Sequence, residues 1–248
     1  PTQLIIIAAR PAVGKTAFAL NLALAAAKST KKNIAIFSLE MPAEQLIMRM
    51  ISSLGQIDNK KLSTGKLENE DWKRFNEAIS ILADTNIYFH DAGGVTPAEI
   101  KAKCRRLATQ GDGLGLVIID YLQLIDSSSR YSGSRQQEVS EISRALKTMA
   151  LELEVPVIAL SQLSRSVEKR EDKKPVLSDL RESGSIEQDA DIVAALHAPD
   201  VETPVGDEVP NPIQLIILKH RNGPTKTIDL LFKKKTSTFL SIKRDGGN

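Results

Sequence analysis

Gly14, Lys15 and Thr16 close the segment Ala9-Arg10-Pro11-Ala12-Val13-Gly14-Lys15-Thr16, which joins an apolar run to a stretch rich in alanine and leucine. Those residue types suit the capture of phosphate. Backbone N–H groups of such a loop curl around the phosphates, a lysine reaches the β- and γ-phosphates, and a hydroxyl meets Mg²⁺. A helix starting at the lysine adds the positive end of its dipole. The place of the usual first glycine is taken by Ala9. A second apolar run, Leu116-Val117-Ile118-Ile119, ends in Asp120, a carboxylate suited to hold Mg²⁺ through water. Glu40 follows Phe37-Ser38-Leu39 and can polarise an attacking water if its strand lies beside the strand that feeds the phosphate loop. Gln162 follows a further apolar run and is the candidate for touching the γ-phosphate and registering its loss. Together these residues point to phosphoryl transfer from a nucleoside triphosphate.

Such groups work only if strands and helices bring them to one edge. Five short apolar runs occupy the first two thirds of the chain: Leu4–Ala8, Ile34–Ser38, Ile87–Phe89, Leu116–Ile119 and Val157–Leu160. Each is continuously apolar rather than alternating, as in strands buried on both faces of a parallel sheet. Helical spacing of apolar residues fills the intervals Thr16–Lys28, Ala43–Leu54, Trp72–Leu82, Glu99–Leu107 and Val139–Leu153. Thr96-Pro97-Ala98-Glu99 reads as an N-cap, a first-turn proline and a capping-box glutamate. Strands alternating with helices predict an α/β fold with right-handed crossovers. In the last third, Ile213–Lys219 and Thr227–Lys233 flank His220-Arg221-Asn222-Gly223-Pro224, which predicts an antiparallel hairpin, with Phe239–Ile242 as a further short strand. Asp126–Arg135, Arg165–Pro175 and Ala198–Pro212 read as mobile polar loops.

Composition narrows the function classes. With 248 residues the chain makes one large domain or at most two small ones. Thirty-three Lys+Arg against 31 Asp+Glu leave a net charge of +2, which excludes a coating or arm-type nucleic-acid binder. Aromatic residues are 4% of the chain, which argues against a stacking platform for single-stranded bases. The average conceals a segregation: Ile213–Asn248 carries eight Lys/Arg against two acids, and Ala198–Pro212 carries four acids and neither Lys nor Arg. Lys233-Lys234-Lys235 reads as a solvated strand end, with a DNA or partner patch as the alternative. Cys104 is the single cysteine, which suits a reducing compartment and a small buried hydrophobe. His90, His197 and His220 do not cluster, so no metal site is expected of them. No apolar run reaches the ~20 residues of a membrane span. The chain opens on Pro1 with an apolar run at once, which we read as a fragment of a longer protein.

AARPAVGKTAFALN from Ala8, FSLEM from Phe37, LVIIDYLQLI from Leu116 and RQQEVSEISRALK from Arg135 resemble, in order, the C-terminal motor domain of bacterial replicative DNA helicases, the DnaB family. VPVIALSQLSR from Val155, RESGSIEQDADIV from Arg181 and KHRNGPT from Lys219 extend the resemblance over nearly the whole chain. It is greatest for Gram-positive members, and an alanine at the first loop position is the family's own habit. The resemblance implies a RecA-like P-loop NTPase fold over residues 1–248, with a mostly parallel sheet flanked by helices and a C-terminal antiparallel hairpin. The family's N-terminal helical domain and linker helix are not in this chain. It further implies a homo-hexameric ring with ATP and Mg²⁺ between subunits, translocating 5′ to 3′ on single-stranded DNA. Lys15 and Thr16 then bind phosphate and metal, Asp120 the metal, and Glu40 activates water. Lys219 and Arg221 reach the neighbouring subunit's γ-phosphate.

DNA contact falls to Arg181, Glu182 and Gly184, and to Arg130 and Arg135 of the preceding polar loop. Ser185 and Gln188 are placed to form a capping box there. A helicase loader is an implied partner, as is primase through the family's N-terminal domain. The implied location is the cytoplasm, at the nucleoid and replisome, with no membrane partner. Two other classes share the phosphate loop: a recombinase or clock-type ATPase, and a nucleotide-binding assembly module without motor activity. The Lys219–Pro224 turn and the Arg181–Asp191 segment argue against the recombinase. Without neighbouring subunits each site lacks its Lys219 and Arg221, which keeps the module reading open.

Overall fold

The computed structural model describes residues 1–126, 135–180, 184–199 and 209–242. Its first two thirds alternate strands and helices as the apolar runs predict. They are β1 (Leu4–Ala9), α1 (Lys15–Ser29), β2 (Asn33–Ser38), α2 (Ala43–Gly55), α3 (Asn59–Thr64), α4 (Asn69–Ala83), β3 (Ile87–His90), α5 (Pro97–Ala108), β4 (Leu114–Asp120), α6 (Arg135–Leu153) and β5 (Val157–Gln162). Then come α7 (Gly184–Asp189), β6 (Ile192–His197), β7 (Asn211–His220), β8 (Thr227–Lys233) and β9 (Thr238–Ser241). The strands form one nine-stranded sheet in the order β3-β2-β4-β5-β1-β6-β7-β8-β9. Pairing is parallel from β3 to β6 and antiparallel from β6 to β9.

Continuous apolar strands are explained by cover on both faces. Leu4, Ile6 and Ala8 of β1 face one core with Val117, Ile119, Val157 and Ala159, where Ile100 and Cys104 of α5 and Val139, Ile142 and Leu146 of α6 pack. Ile7 and Ala9 face the other core, with Ile118, Ile158 and Leu160, under Ala17, Leu20 and Ala23 of α1 and Leu46 and Met50 of α2. The small residues of α1 let it lie close across the sheet, where it packs on β4 and β2 as well as β1. α5 starts as predicted: the Thr96 backbone N–H donates to the Glu99 carboxylate at 2.8 Å, and the Glu99 N–H donates to Thr96 Oγ1 at 3.3 Å. Cys104 is fully buried, and burial pushes its thiol up to about 12.

Several expectations change. β6 is not among the predicted strands, although Ile192-Val193-Ala194-Ala195-Leu196 is an apolar run of strand length. It is the seam of the sheet, parallel to β1 and antiparallel to β7. β2 is not beside β1: β4 and β5 lie between them. Arg165–Pro175 is not an open loop. It begins as a 3₁₀ turn over Arg165–Lys169, and Arg170 forks onto Asp179, whose carboxylate also accepts from the Val176 N–H at 2.8 Å. Buried charge found partners that the polar composition did not advertise. The expected Ser185–Gln188 capping box is absent among the described residues, because α7 begins at Gly184. Ser185 therefore stands inside the first turn, its Oγ buried without a partner. Most of Asp126–Arg135 and Ala198–Pro212 lies outside the described residues.

Candidate nucleotide site

The phosphate loop leaves β1 at Ala9 and turns into α1 at Lys15. Ala12 adopts φ +66° and Gly14 φ +105°, so two left-handed residues reverse the chain within the loop. Glycine is required at the second for two reasons: its φ is one that side chains resist, and a Cβ there would sit 2.8 Å from the Phe232 ring. No acidic residue occupies the first turn of α1 and no side chain caps it. Its free N–H groups face the loop's hollow, the arrangement that receives an anion.

Lys15 and Thr16 converge on Asp120 at the end of β4. Thr16 Oγ1 donates to Asp120 Oδ2 at 2.6 Å, and Lys15 Nζ stands 3.5 Å from Oδ1. The ammonium also lies 4.4 Å from the centroid of the Tyr121 ring. Burial lowers the Lys15 pKa, against the opposing pull of Asp120 and Glu40. Asp120 is 3% exposed, and its Oδ1 has no hydrogen-bond partner. A buried carboxylate oxygen without a hydrogen bond, beside a hydroxyl, is a pair of hard oxygen donors that fits a Mg²⁺ ion.

Glu40 and Gln162 line the same cleft as Ala9, Arg10, Pro11, Ala12, Gly14, Lys15 and Thr16. Glu40 reaches it although β2 is not the neighbouring strand. α1 crosses the sheet towards β4 and β2, so the loop's mouth opens over their ends, and Ser38 is in register with Asp120. Gln162 is in register with Ala9 on β5. Val13 packs on the core beneath. Arg10 stands at the rim: its guanidinium donates to the Leu163 carbonyl at 2.9 Å and pairs with Glu168. Arg49, Phe232, Lys234 and Ser237 complete the cleft. Arg49, Phe232 and Ser237 are not singled out by the sequence as site residues, and Lys234 is not the merely solvated strand end that its run suggests. The available signal is their position on elements that, Arg49 apart, follow the phosphate loop by some two hundred residues, which only the sheet order makes adjacent.

Lys219 and Arg221 are elsewhere. Ala9 of β1 pairs with Leu196 of β6, whereas Lys219 of β7 pairs with Val193. Three residues along the strands and two strands across place the Lys219 backbone roughly 14 Å from Ala9, where the phosphate loop begins. It lies at the edge where the parallel strands begin, not where they end. Its ammonium donates to the Glu187 and Ala190 carbonyls at 2.5 and 2.7 Å, and Arg221 donates to the Gln188 carbonyl at 3.0 Å. Both cations thus cap the C-terminal end of α7. Burial lowers the Lys219 pKa, and Arg221 adds to the shift.

Of the remaining candidates, Gly184 opens α7 and is exposed. Arg135 opens α6, donating to the Gln123 carbonyl and to Glu138 at 2.6 Å each. Arg130, Arg181 and Glu182 lie outside the described residues. Among the described residues no group of His, Cys, Asp and Glu forms a metal cluster, and no helix is long and apolar enough to cross a membrane.

A phosphate loop, a strand-end aspartate and a glutamate on one edge of a mostly parallel sheet with helices on both faces define a RecA-like nucleotide-binding domain. The DnaB-like helicase C-terminal domain family matches residues 1–241, and the chain belongs to it. It is 56% identical over 243 residues to the replicative DNA helicase DnaB of Geobacillus stearothermophilus, covering 98% of this chain and 53% of that protein. It is also 56% identical over 245 residues to the replicative DNA helicase DnaC of Bacillus subtilis, with the same coverage, which bears out the Gram-positive resemblance. The chain spans about half the length of these curated relatives. A structure described as a DnaB-like replicative helicase and its interactions with primase superposes with TM-score 0.91 at 40% identity, covering 98% of this chain and 58% of that one. A second solved structure, described as an ATPase domain, does so with TM-score 0.90 at 40% identity, over 98% and 85%.

Proposed function

We propose that residues 1–248 form a single RecA-like domain, the ATP-hydrolysing motor of a replicative DNA helicase. It works in a homo-hexameric ring that moves 5′ to 3′ on single-stranded DNA and opens the duplex at the fork. The observation that carries this reading is the division of the site between two edges. Lys15, Thr16, Glu40 and Gln162 share one cleft, with Asp120 bonded to Thr16, while Lys219 and Arg221 lie at the opposite end of the strands. The cleft gathers the phosphate-binding, metal-binding and water-activating groups, while Lys219 and the half-exposed Arg221 stand at the other end of the strands, where a second copy can take them up.

Within that reading the loop Ala9–Gly14 cradles the phosphates of ATP, and Lys15 neutralises the β- and γ-phosphates. Thr16 and, through water, Asp120 would hold Mg²⁺, which supplies charge neutralisation at the phosphate oxygens. Glu40 accepts a proton from the attacking water, and Gln162 senses the γ-phosphate. The neighbour's Arg221 and Lys219 stabilise charge in the transition state, a contribution on the order of 10³–10⁵ in rate for an arginine finger. Arg130, Arg135, Arg181, Glu182 and Gly184 form the DNA-contacting set. A motor must bind without regard to sequence, so backbone and phosphate contacts suffice. Six copies of a short loop in a closed ring make few basic residues per subunit enough, consistent with the net charge of +2. In the whole protein a loader and primase are partners, primase chiefly through the N-terminal domain, and the place of action is the cytoplasmic replisome. The replicative-helicase names of the relatives support the motor reading.

The test is unwinding of a forked duplex by the full-length protein with ATP and Mg²⁺. A substrate with a free 5′ tail is opened, one with only a 3′ tail is not, and Arg221→Ala stops both opening and hydrolysis without loss of nucleotide binding. Hydrolysis at the wild-type rate by assembled Arg221→Ala would overturn the shared site.

A further inference from the structure

Arg221 does not leave the sheet edge unguided. Its backbone N–H donates to the Asp191 carbonyl at 2.8 Å, and its Nη1 lies 3.3 Å from Asp191 Oδ1. Asp191 is 4% exposed and held on three further counts. Its Oδ2 accepts the Leu4 N–H at 2.8 Å and the Lys147 ammonium at 2.6 Å, and its own N–H donates to the Leu4 carbonyl at 2.9 Å. Lys147 is anchored in turn on the Thr2 carbonyl at 3.0 Å. Burial pushes the Asp191 carboxyl up, but Lys147, the Leu4 N–H and Arg221 outweigh it and hold the group below its ordinary value.

We propose that Asp191 is a positioning residue for ATP hydrolysis at the neighbouring subunit, fixing the turn that presents Arg221 and Lys219 through its carboxylate and its backbone carbonyl. The inference rests on the shared-site reading above. Two features separate positioning from mere stability. Leu4 and Lys147 both bond Oδ2, and the Lys147 ammonium already balances the buried charge, which leaves Oδ1 turned to Arg221. The Arg221 side chain is half exposed at 49%, where an ion pair adds little to stability but restricts direction. Asp191 also binds the first residue of β1, the strand whose other end carries the phosphate loop. The outgoing cations are therefore referenced to the same rigid strand as the incoming nucleotide. A guanidinium displaced by an ångström from a transferring phosphoryl group loses much of its effect.

The test compares three variants in the assembled full-length protein. Asn is isosteric and keeps an acceptor for the Leu4 N–H, so Asp191→Asn removes chiefly the charge facing Arg221 and Lys147. It is expected to lower kcat for ATP by about 10- to 100-fold, with KM little changed and a thermal midpoint lowered no further than in Lys147→Met. Added to Arg221→Ala, it is expected to cost far less than it does alone, since the guanidinium is gone and Lys219 keeps its own two carbonyl partners. Lys147→Met leaves Asp191 bearing on Arg221 alone and keeps kcat while lowering the thermal midpoint. Wild-type kcat in Asp191→Asn beside a collapsed Arg221→Ala overturns the positioning role and spares the shared site. A full further loss in the double variant, or a loss in Lys147→Met equal to that in Arg221→Ala, also overturns it. Wild-type hydrolysis by Arg221→Ala removes the shared site itself.

Discussion

The two ends of the parallel strands handle cations in opposite ways. At the end where β1 and β4 finish, Lys15 is desolvated near Asp120 and Glu40, and Asp120 keeps an oxygen without a hydrogen bond. At the end where β1 and β6 begin, Lys219 and Arg221 are supplied by four acceptors: three carbonyls of the α7 region and Asp191. The first edge is a set of groups short of partners, as a ligand site must be. The second is internally complete and half exposed, as suits groups presented to something outside the chain. Leu180 bridges Leu163 just past Gln162, and the carbonyls of Glu187 and Gln188 meet the outgoing cations.

The strongest test of that contrast mixes defects from the two edges. Lys15→Ala and Arg221→Ala subunits are each inactive alone, and mixed rings are expected to regain hydrolysis from near zero to a substantial fraction of wild type. Each restored site joins the intact loop of one subunit to the intact arginine of the other. No recovery in verified mixed rings would mean that both residues serve one chain's own site. Next in size, Gly14→Ala forces a left-handed residue to carry a Cβ against Phe232, a strain of about 1–2 kcal/mol before the contact is counted. Nucleotide affinity should fall by roughly tenfold on direct titration, while the equivalent change at Gly184, where a Cβ meets nothing, should leave it intact.

Acidity separates the edges more gently. Because burial lowers the Lys15 pKa, the charged amine that phosphate needs is lost below its ordinary 10.5. Nucleotide affinity should therefore decline with rising pH before that value, and a flat titration up to it would contradict the desolvated lysine. The opposite edge answers to acid. The folded pKa of Asp191 is depressed, so its contribution to stability is present above the ordinary 3.8 and lost as pH falls through the folded value. Asp191→Asn should flatten that acid limb of a thermal-midpoint profile, the smallest of these effects.

Local features of sequence are enough for the phosphate loop, the α5 cap and most strands. Each depends on neighbours in the chain: Thr96 with Glu99, or the run Leu116–Ile119 with the acid that ends it. Where local reading fails, the missing information is a distant partner. Glu40 is expected on a strand beside β1 and instead reaches the cleft from two strands further away, because α1 lies across the sheet. Arg165–Pro175 reads as an open polar loop, yet Asp179 gathers it. β6 escapes notice because its apolar run follows directly on a segment dominated by polar residues.

The sequence by itself determined the chemistry available and the order of the elements, since residue type, periodicity and capping act over a few positions. Only tertiary structure decided which chemistry shares an edge. Parallel pairing from β3 to β6 carries these strands the same way, so the ends of β1, β2, β4 and β5 meet at one cleft. The reversal at β7 sends Lys219 and Arg221 to the other edge. That reversal is set by pairing across the sheet, which no stretch of neighbouring residues encodes.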